Sequence, residues 1–355
     1  MLWDIFCKVI DNHGDIGVCW RLACDLATRG EQVRLWIDDA SPLAWMAPRG
    51  HDGVELRAWN ADSAFPASGA VVIEAFGCDL PAAFIERMAA AQPPPRWINL
   101  EYLTAEPFAE RAHRLPSPVL HGAGAGMTKH FFYPGFTAGT GGLLREPELA
   151  RSRSQFERAP WLRTVGVVDP HVLVVSLFCY EPPALASLLR QLGQLRQPVH
   201  LLVTAGRATA AVQALVASGA VPAPALAPGR ASSLSMSFLA LLPQPEYDHL
   251  LWACDLNFVR GEDSLVRALW AGRPFIWQCY PQQDGAHHAK LVAFLDWMQA
   301  PPSLRRIHAA WNNLEPELGP VDLPAWQVCV DGARQRALRQ DDLATQLLRF
   351  AQSAP

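Results

Sequence analysis

The sequence has no excess of basic residues: 30 Lys and Arg stand against 34 Asp and Glu, for a formal net charge of -4. Affinity for nucleic acid comes largely from neutralising phosphates, so nucleic acid is not an expected partner, and any phosphate ligand has to be held locally. Also missing is an apolar run of the ~20 residues that a bilayer span needs. The Ala-rich stretch from Leu201 to Pro228 is interrupted by Arg207, Gln213 and prolines, so no membrane association is expected. Met1 to Ile10 has neither a positively charged stretch nor a cleavage site. It reads as a folded strand rather than an export signal. The eight cysteines sit singly in apolar segments, without a C-x-x-C pair. That spacing argues against zinc and fits buried thiols in a reducing, cytoplasmic compartment. His13, His130, His287 and His288 show no metal-ligand spacing, and the first strand-to-helix turn carries no G-x-G-x-x-G fingerprint. Neither a metal nor a cofactor is expected.

What the chain does have is apolar substance: 355 residues, 50% of them hydrophobic. That exceeds the usual size of one hydrophobic core and predicts two packed domains. In the first half, β-rich runs at Trp3 to Ile10, Val33 to Ile37, Val54 to Trp59, Val71 to Phe76 and Trp97 to Glu101 alternate with helical patterns at Ile16 to Leu26 and Ala82 to Ala91. After an Arg-rich passage from Arg145 to Arg163, the alternation restarts. His171 to Phe178, His200 to Val203, Phe238 to Leu242, Leu256 to Val259 and Phe275 to Trp277 are the apolar strand candidates. Helical stretches lie at Leu185 to Leu195, Ala208 to Val216, Tyr247 to Ala253, Ser264 to Ala271 and Asp284 to Met298. The Pro-rich Val221 to Pro228 reads as a surface connection, and the tail from Leu304 to Phe350 as helical throughout. The predicted class is α/β: a domain over about 1–160, a second over about 166–330, and a helix near 335–355 returning to the first. Two Rossmann-like domains facing each other across a cleft, with a C-terminal helix crossing back, make up the GT-B architecture of many sugar transferases. Fold alone does not establish activity.

Strand-to-helix loops of open α/β sheets are where ligands bind, and several here are chemically loaded. Asp11-Asn12-His13-Gly14-Asp15-Ile16-Gly17 brings two carboxylates into the first one. The glycines permit a sharp turn; the paired Asp residues favour a catalytic loop over the alternative in which Asp15 caps the helix. In Asn257-Phe258-Val259-Arg260-Gly261-Glu262-Asp263-Ser264 an apolar strand runs directly into a helix. Helix N-terminal amides, the Ser264 hydroxyl and Arg260 suit a diphosphate, while Glu262 or Asp263 can accept from ribose. The alternative is a cap at Asp263 or Ser264 and an Arg260–Glu262 ion pair. Tyr280, Gln282 and Asp284, in the next loop, can reach a sugar or a phosphate. Phe178 and Tyr180, after the strand candidate His171 to Phe178, can stack on a base and bond a phosphate.

Together these segments resemble the EarP family, protein-arginine rhamnosyltransferases that modify bacterial translation elongation factor P. The resemblance covers almost the whole chain. It rests on Asp11-Asn12-x-Gly14-Asp15-Ile16-Gly17-Val18-x-Trp20-Arg21-Leu22, Trp97-Ile98-Asn99-Leu100-Glu101-Tyr102, Phe131-Phe132-Tyr133-Pro134-Gly135-Phe136 with Thr140-Gly141-Gly142-Leu143-Leu144-Arg145-Glu146, and Leu256 to Ser264. The resemblance implies an inverting transfer from dTDP-β-L-rhamnose to an arginine of elongation factor P, with the donor in the second domain and the acceptor in the first. By the same resemblance Phe178 and Gln244 contact thymine, Glu262 the ribose, and Tyr180, Arg260, Asp263, Ser264 and Tyr280 the diphosphate side. One departure is Leu241, where the family tends to carry an aromatic residue that completes a base sandwich. Losing one stacking face costs about 1 kcal/mol of donor affinity.

The mechanism expected on this footing has Asp15 as general base and Asp11 as a second hold on the acceptor guanidinium. Arginine's pKa, above ~12, forbids prior deprotonation, so orientation and late proton removal are what the carboxylates contribute. Two alternatives stay open at this stage: another GT-B transferase or a nucleotide-sugar epimerase, and a non-catalytic nucleotide-sugar-binding protein.

Overall fold

The computed structural model describes residues 1–9, 13–60, 62–221, 233–282 and 285–353. Expectations placed on Asp11, on Asp284 and on most of the Pro-rich Val221 to Pro228 segment lie outside these residues. The chain divides into two compact units, Met1–Pro147 with Ala337–Pro355, and Glu148–Arg336.

The first unit runs β1 (Leu2–Cys7), α1 (Gly14–Thr28), β2 (Gln32–Ile37), α2 (Leu43–Met46), β3 (Val54–Ala58), β4 (Val71–Ala75), α3 (Ala82–Ala90), β5 (Arg96–Leu100), α4 (Phe108–Ala112), β6 (Pro116–Pro118) and β7 (Thr128–Phe132). Its sheet has the order β3-β2-β1-β4-β5-β7-β6, parallel except for the β6–β7 pair. Alternate residues of β1 serve opposite faces, as the period of two requires. Ile5 and Cys7 meet Ile16, Cys19, Leu22 and Leu26 of α1, whereas Phe6 joins Trp36, Trp59, Phe65, Phe84 and Trp97 in an aromatic layer. Phe6 and Trp36 stack at 5.3 Å. On the Phe6 face Asp4 is fully buried and accepts four hydrogen bonds of 2.7 Å, from Nε and Nη2 of Arg34, Nε1 of Trp36 and the Gly69 amide. Such a carboxylate survives burial only because every charge and donor around it is matched. The expected strand at Trp3 to Ile10 is shorter than its apolar pattern, because the Val9 amide bonds Asp38 Oδ1 at 2.8 Å instead of continuing the ladder.

The second unit contains α5 (Leu149–Gln155), α6 (Arg158–Thr164), β8 (Leu173–Leu177), α7 (Leu185–Gly193), β9 (Val199–Val203), α8 (Arg207–Ala217), β10 (Leu234–Phe238), α9 (Gln244–Ala253), β11 (Leu256–Arg260), α10 (Gly261–Ala271), β12 (Phe275–Gln278), α11 (Ala286–Met298) and α12 (Pro302–Trp311). Its five parallel strands have the order β10-β9-β8-β11-β12. The strand expected at Phe238 to Leu242 is β10 instead, ending where the expectation began. Its serines hid it: Ser235 and Ser237 point inward and bond the two ring nitrogens of His200 at 2.8 and 2.9 Å. Leu241, outside the strand, is 53% exposed. Arg267 of α10 pairs bidentately with Asp248 of α9, both buried.

The tail is not one continuous helix. It comprises α12, α13 (Leu323–Leu338) and α14 (Leu343–Gln352). The last belongs to the first unit, where Leu343, Ala344 and Leu347 pack in the core beside α1. Asp342 caps α14 by accepting from the Thr345 amide at 2.8 Å and also takes Nη2 of Arg29 at 2.8 Å. Among the described residues, no helix is long and apolar enough to cross a membrane.

Candidate functional site

Each sheet reverses its strand order beside its first strand: β1 lies between β2 and β4, and β8 between β9 and β11. Crevices form at the carboxyl ends of strands flanking such a reversal. The candidate residues gather at both.

In the first unit, α1 starts at Gly14 with His13 at the cap position and no side-chain capping bond. Asp15 is therefore the second residue of the helix rather than its cap, and the capping alternative does not hold. Its Oδ2 accepts from the Tyr102 hydroxyl at 3.3 Å. Tyr102, just past β5, is 42% exposed and stacks on Phe76, just past β4, with centroids 4.6 Å apart and planes 20° from parallel. Phe76 has φ of 56°, a left-handed backbone rare for a bulky residue and characteristic of functional sites. Its amide donates to the Leu100 carbonyl at 2.7 Å, which holds the turn against β5.

Beside Tyr102, Glu101 accepts from Asn99 Nδ2 at 2.6 Å, and burial pushes its carboxyl above the usual range. Glu74, buried in β4, accepts from Lys129 at 2.9 Å and from Trp97 Nε1 at 3.0 Å. This edge of the unit is thus lined by carboxylates and aromatic rings. Tyr102 and Phe76 escaped the residue-level reading. Tyr102 entered only as the last residue of the Trp97 to Tyr102 motif, with no role assigned to it.

In the second unit, β8 leads into Phe178 and Tyr180, and β11 ends at Arg260. The Arg260 guanidinium carbon lies 4.4 Å from the Phe178 ring centroid and 4.5 Å from that of Tyr180. Its Nη1 donates to the Cys179 carbonyl at 3.0 Å. Tyr180 is fixed through its amide, which donates to Gln278 Oε1 at 2.8 Å, and its ring meets Tyr280 edge-on at 5.6 Å. Burial pushes the Tyr180 phenol up to about 12 against the pull of Arg260 and Arg207. Four of the expected donor residues are therefore in one contact set.

The helix α10 begins immediately after Arg260, at Gly261, whose φ of 70° is one that side chains rarely adopt. Glu262 and Asp263 fall in its first turn, and Ser264 follows, 7% exposed; none of the three takes the cap position, which is that of Arg260. Glu262 pairs with Lys290 of α11. Gln244 opens α9, three residues before Tyr247, whose ring meets Phe178 edge-on at 5.5 Å. Burial pushes the Tyr247 hydroxyl up, against a side-chain hydrogen bond with Ser264. Lys290 and Tyr247, unforeseen in the sequence, sit on helix faces that apolar periodicity assigns to packing. Among the described residues, no group of three or more His, Cys, Asp or Glu side chains is placed to hold a metal ion.

Comparison with known proteins bears on what these edges do. Residues 3–352 match the family model described as elongation factor P (EF-P) rhamnosyltransferase EarP. The chain is 42% identical to the protein-arginine rhamnosyltransferase of Pseudomonas putida and 41% identical to that of Pseudomonas aeruginosa, with 98% of both chains covered in each case. Among solved structures it is similar to one described as the structural basis for EarP-mediated arginine glycosylation of translation elongation factor EF-P, with a TM-score of 0.65, 33% identity and 98% of each chain covered. The calicheamicin glycosyltransferase CalG4, at TM-score 0.51 and 14% identity over 99% of each chain, shares the fold. With matches of this length and identity, the chain belongs to the EarP family and is a protein-arginine rhamnosyltransferase of the GT-B fold.

Proposed function

We propose that the enzyme moves L-rhamnose from dTDP-β-L-rhamnose to an arginine guanidinium of elongation factor P, with inversion, in a single displacement. The first unit takes the acceptor and the second the donor. The observation that carries this reading is the pairing of Asp15 with the Tyr102 hydroxyl at a carboxylate-lined sheet edge, which suits a guanidinium cation. Arg260 over Phe178 and Tyr180 at the other edge suits an aromatic base joined to phosphates.

In the displacement a guanidinium nitrogen forms a bond to C1 of rhamnose while the bond from C1 to the diphosphate oxygen breaks. The proton on that nitrogen passes to Asp15 as the bond forms, and dTDP leaves with the electron pair. Asp11 is the second hold on the acceptor guanidinium. Thymine stacks on Phe178 and bonds Gln244, Glu262 accepts from the ribose, and Tyr180, Tyr280, Asp263 and Ser264 border the diphosphate. Arg260 and the first amides of α10 stabilise the leaving charge, so no divalent cation is required. Leu241, exposed and aliphatic, lowers donor affinity rather than turnover. A cytoplasmic setting follows from the acceptor.

The test is an incubation of the protein with dTDP-rhamnose and elongation factor P from the same cell, with EDTA present, read by the intact mass of the factor. A gain of one deoxyhexose is expected. No gain, with donor bound, overturns the acceptor assignment; a gain only without EDTA overturns metal independence.

A further inference from the structure

Resting on that nucleotide reading of the second unit, we propose that Arg207 is a second phosphate-binding residue of the donor site, held in place by Glu181 until the diphosphate arrives and takes it over. In the sequence Arg207 shows only as an interruption of an apolar stretch. In the fold it is the first residue of α8, one short turn past the end of β9, the strand beside β8. Gly206, with φ of 84°, makes the turn that brings it there.

The Arg207 guanidinium carbon lies 5.0 Å from the Tyr180 ring centroid, and that of Arg260 lies 4.5 Å from the same ring. Two cations thus share one aromatic side chain of the candidate donor site. Burial depresses the pKa of Arg260 and Arg207 adds to that, while both guanidiniums pull on the Tyr180 phenol against its burial. Facing Arg207 is the Glu181 carboxylate, which accepts from its Nε at 2.7 Å and also from its Nη2. The two side chains of this pair are 48% and 52% exposed.

An ion pair so exposed contributes little to stability, so Arg207 exchanges its partner at small cost. A diphosphate carries more charge than one carboxylate and accepts the same planar pair of N–H groups. The ring of Tyr180 keeps the guanidinium in place during the exchange. Glu181 then acts as a stand-in for phosphate in the ligand-free chain.

The experiment measures binding of dTDP and of thymidine by calorimetry to the full-length wild type and to Arg207→Gln, Arg207→Lys and Glu181→Gln. Arg207→Gln is expected to weaken dTDP at least tenfold, leave thymidine unchanged, and flatten the salt dependence of dTDP binding. Arg207→Lys should recover part of the loss, and Glu181→Gln should bind dTDP no more weakly than wild type. Unchanged dTDP binding by Arg207→Gln overturns the inference. So does an equal loss for thymidine and dTDP, since that marks Arg207 as packing for Tyr180. A tenfold loss in Glu181→Gln overturns the exchange with Glu181. If the wild type itself does not bind dTDP, the donor reading fails and this inference falls with it; wild-type binding with no effect of Arg207→Gln removes only the inference.

Discussion

The carboxyl edges of the two sheets are built on one plan, and the side chains that engage their tyrosines are of opposite charge. Both sheets reverse strand order beside their first strand, both place a tyrosine just past a strand there, and both engage that tyrosine with an ionised side chain. At the first edge the partner of Tyr102 is Asp15, with Glu101 next in sequence. At the second the partners of Tyr180 are Arg260 and Arg207. The phenol explains how one residue serves both: its O–H donates to a carboxylate, while its ring face attracts a guanidinium. A transferase joining a cationic acceptor to an anionic donor needs one edge of each kind, and the fold supplies the two positions regardless of sign.

The largest effect should come from the acid of the first edge. On the proposed mechanism, replacing Asp15 with Asn keeps the shape and removes the proton acceptor, so kcat should fall by about 10³ to 10⁴, the upper part of the range for a positioned general base. Binding of dTDP should stay within about twofold, because the proposal puts the carboxylate on the acceptor side. Single-turnover kinetics together with calorimetry separates the two. Loss of dTDP binding, or activity within tenfold of wild type, breaks the division of labour between the edges.

Next in size are the buried ion pairs that hold each unit together. Asp4→Ala in the first unit strands Arg34, and Asp248→Ala in the second strands Arg267. Removing one partner of a buried pair costs about 3–5 kcal/mol, since the other charge is left in a medium that cannot solvate it. For units of this size that corresponds to a drop of roughly 10 °C in the melting transition. Scanning calorimetry should show both losses, and the comparison sharpens if the two units melt separately, each variant then lowering only its own transition. A change below about 1 kcal/mol in either variant contradicts the buried-pair account.

The alternation of strands and helices was legible because parallel strands buried on both faces read as apolar runs, as β1, β2, β4, β8 and β11 do. The strands β10 and β7 were not. In β10, Ser235 and Ser237 satisfy His200, and in β7, Lys129 pairs with Glu74, so the apolar pattern breaks although the ladder continues. Asp15, Arg260 and Ser264 were readable from the strand-to-helix junctions they flank, because such turns announce themselves locally. The partners that set their geometry were not: Tyr102 and Asp15 are 87 residues apart, and Arg207 reaches Tyr180 from a different strand-to-helix turn. Local pattern finds a site's loops; only the sheet order brings those loops side by side.

The smallest effect tests how Tyr102 works. Tyr102→Phe retains the ring that stacks on Phe76 and deletes the hydroxyl that donates to Asp15. A hydrogen bond to a charged group contributes about 1.5–3 kcal/mol, and at 3.3 Å this one belongs at the weak end, so kcat/KM for the protein acceptor should fall about tenfold. The affinity for dTDP should not move. Tyr102→Ala, which removes the ring as well, should cost more and raise KM for the acceptor, since Phe76 then loses its stacking partner at the edge. An equal loss in the two variants would assign the whole effect to the hydroxyl. A Phe variant with full activity and an Ala variant without it would assign the effect to the stacked rings, leaving Asp15 to be oriented by other groups.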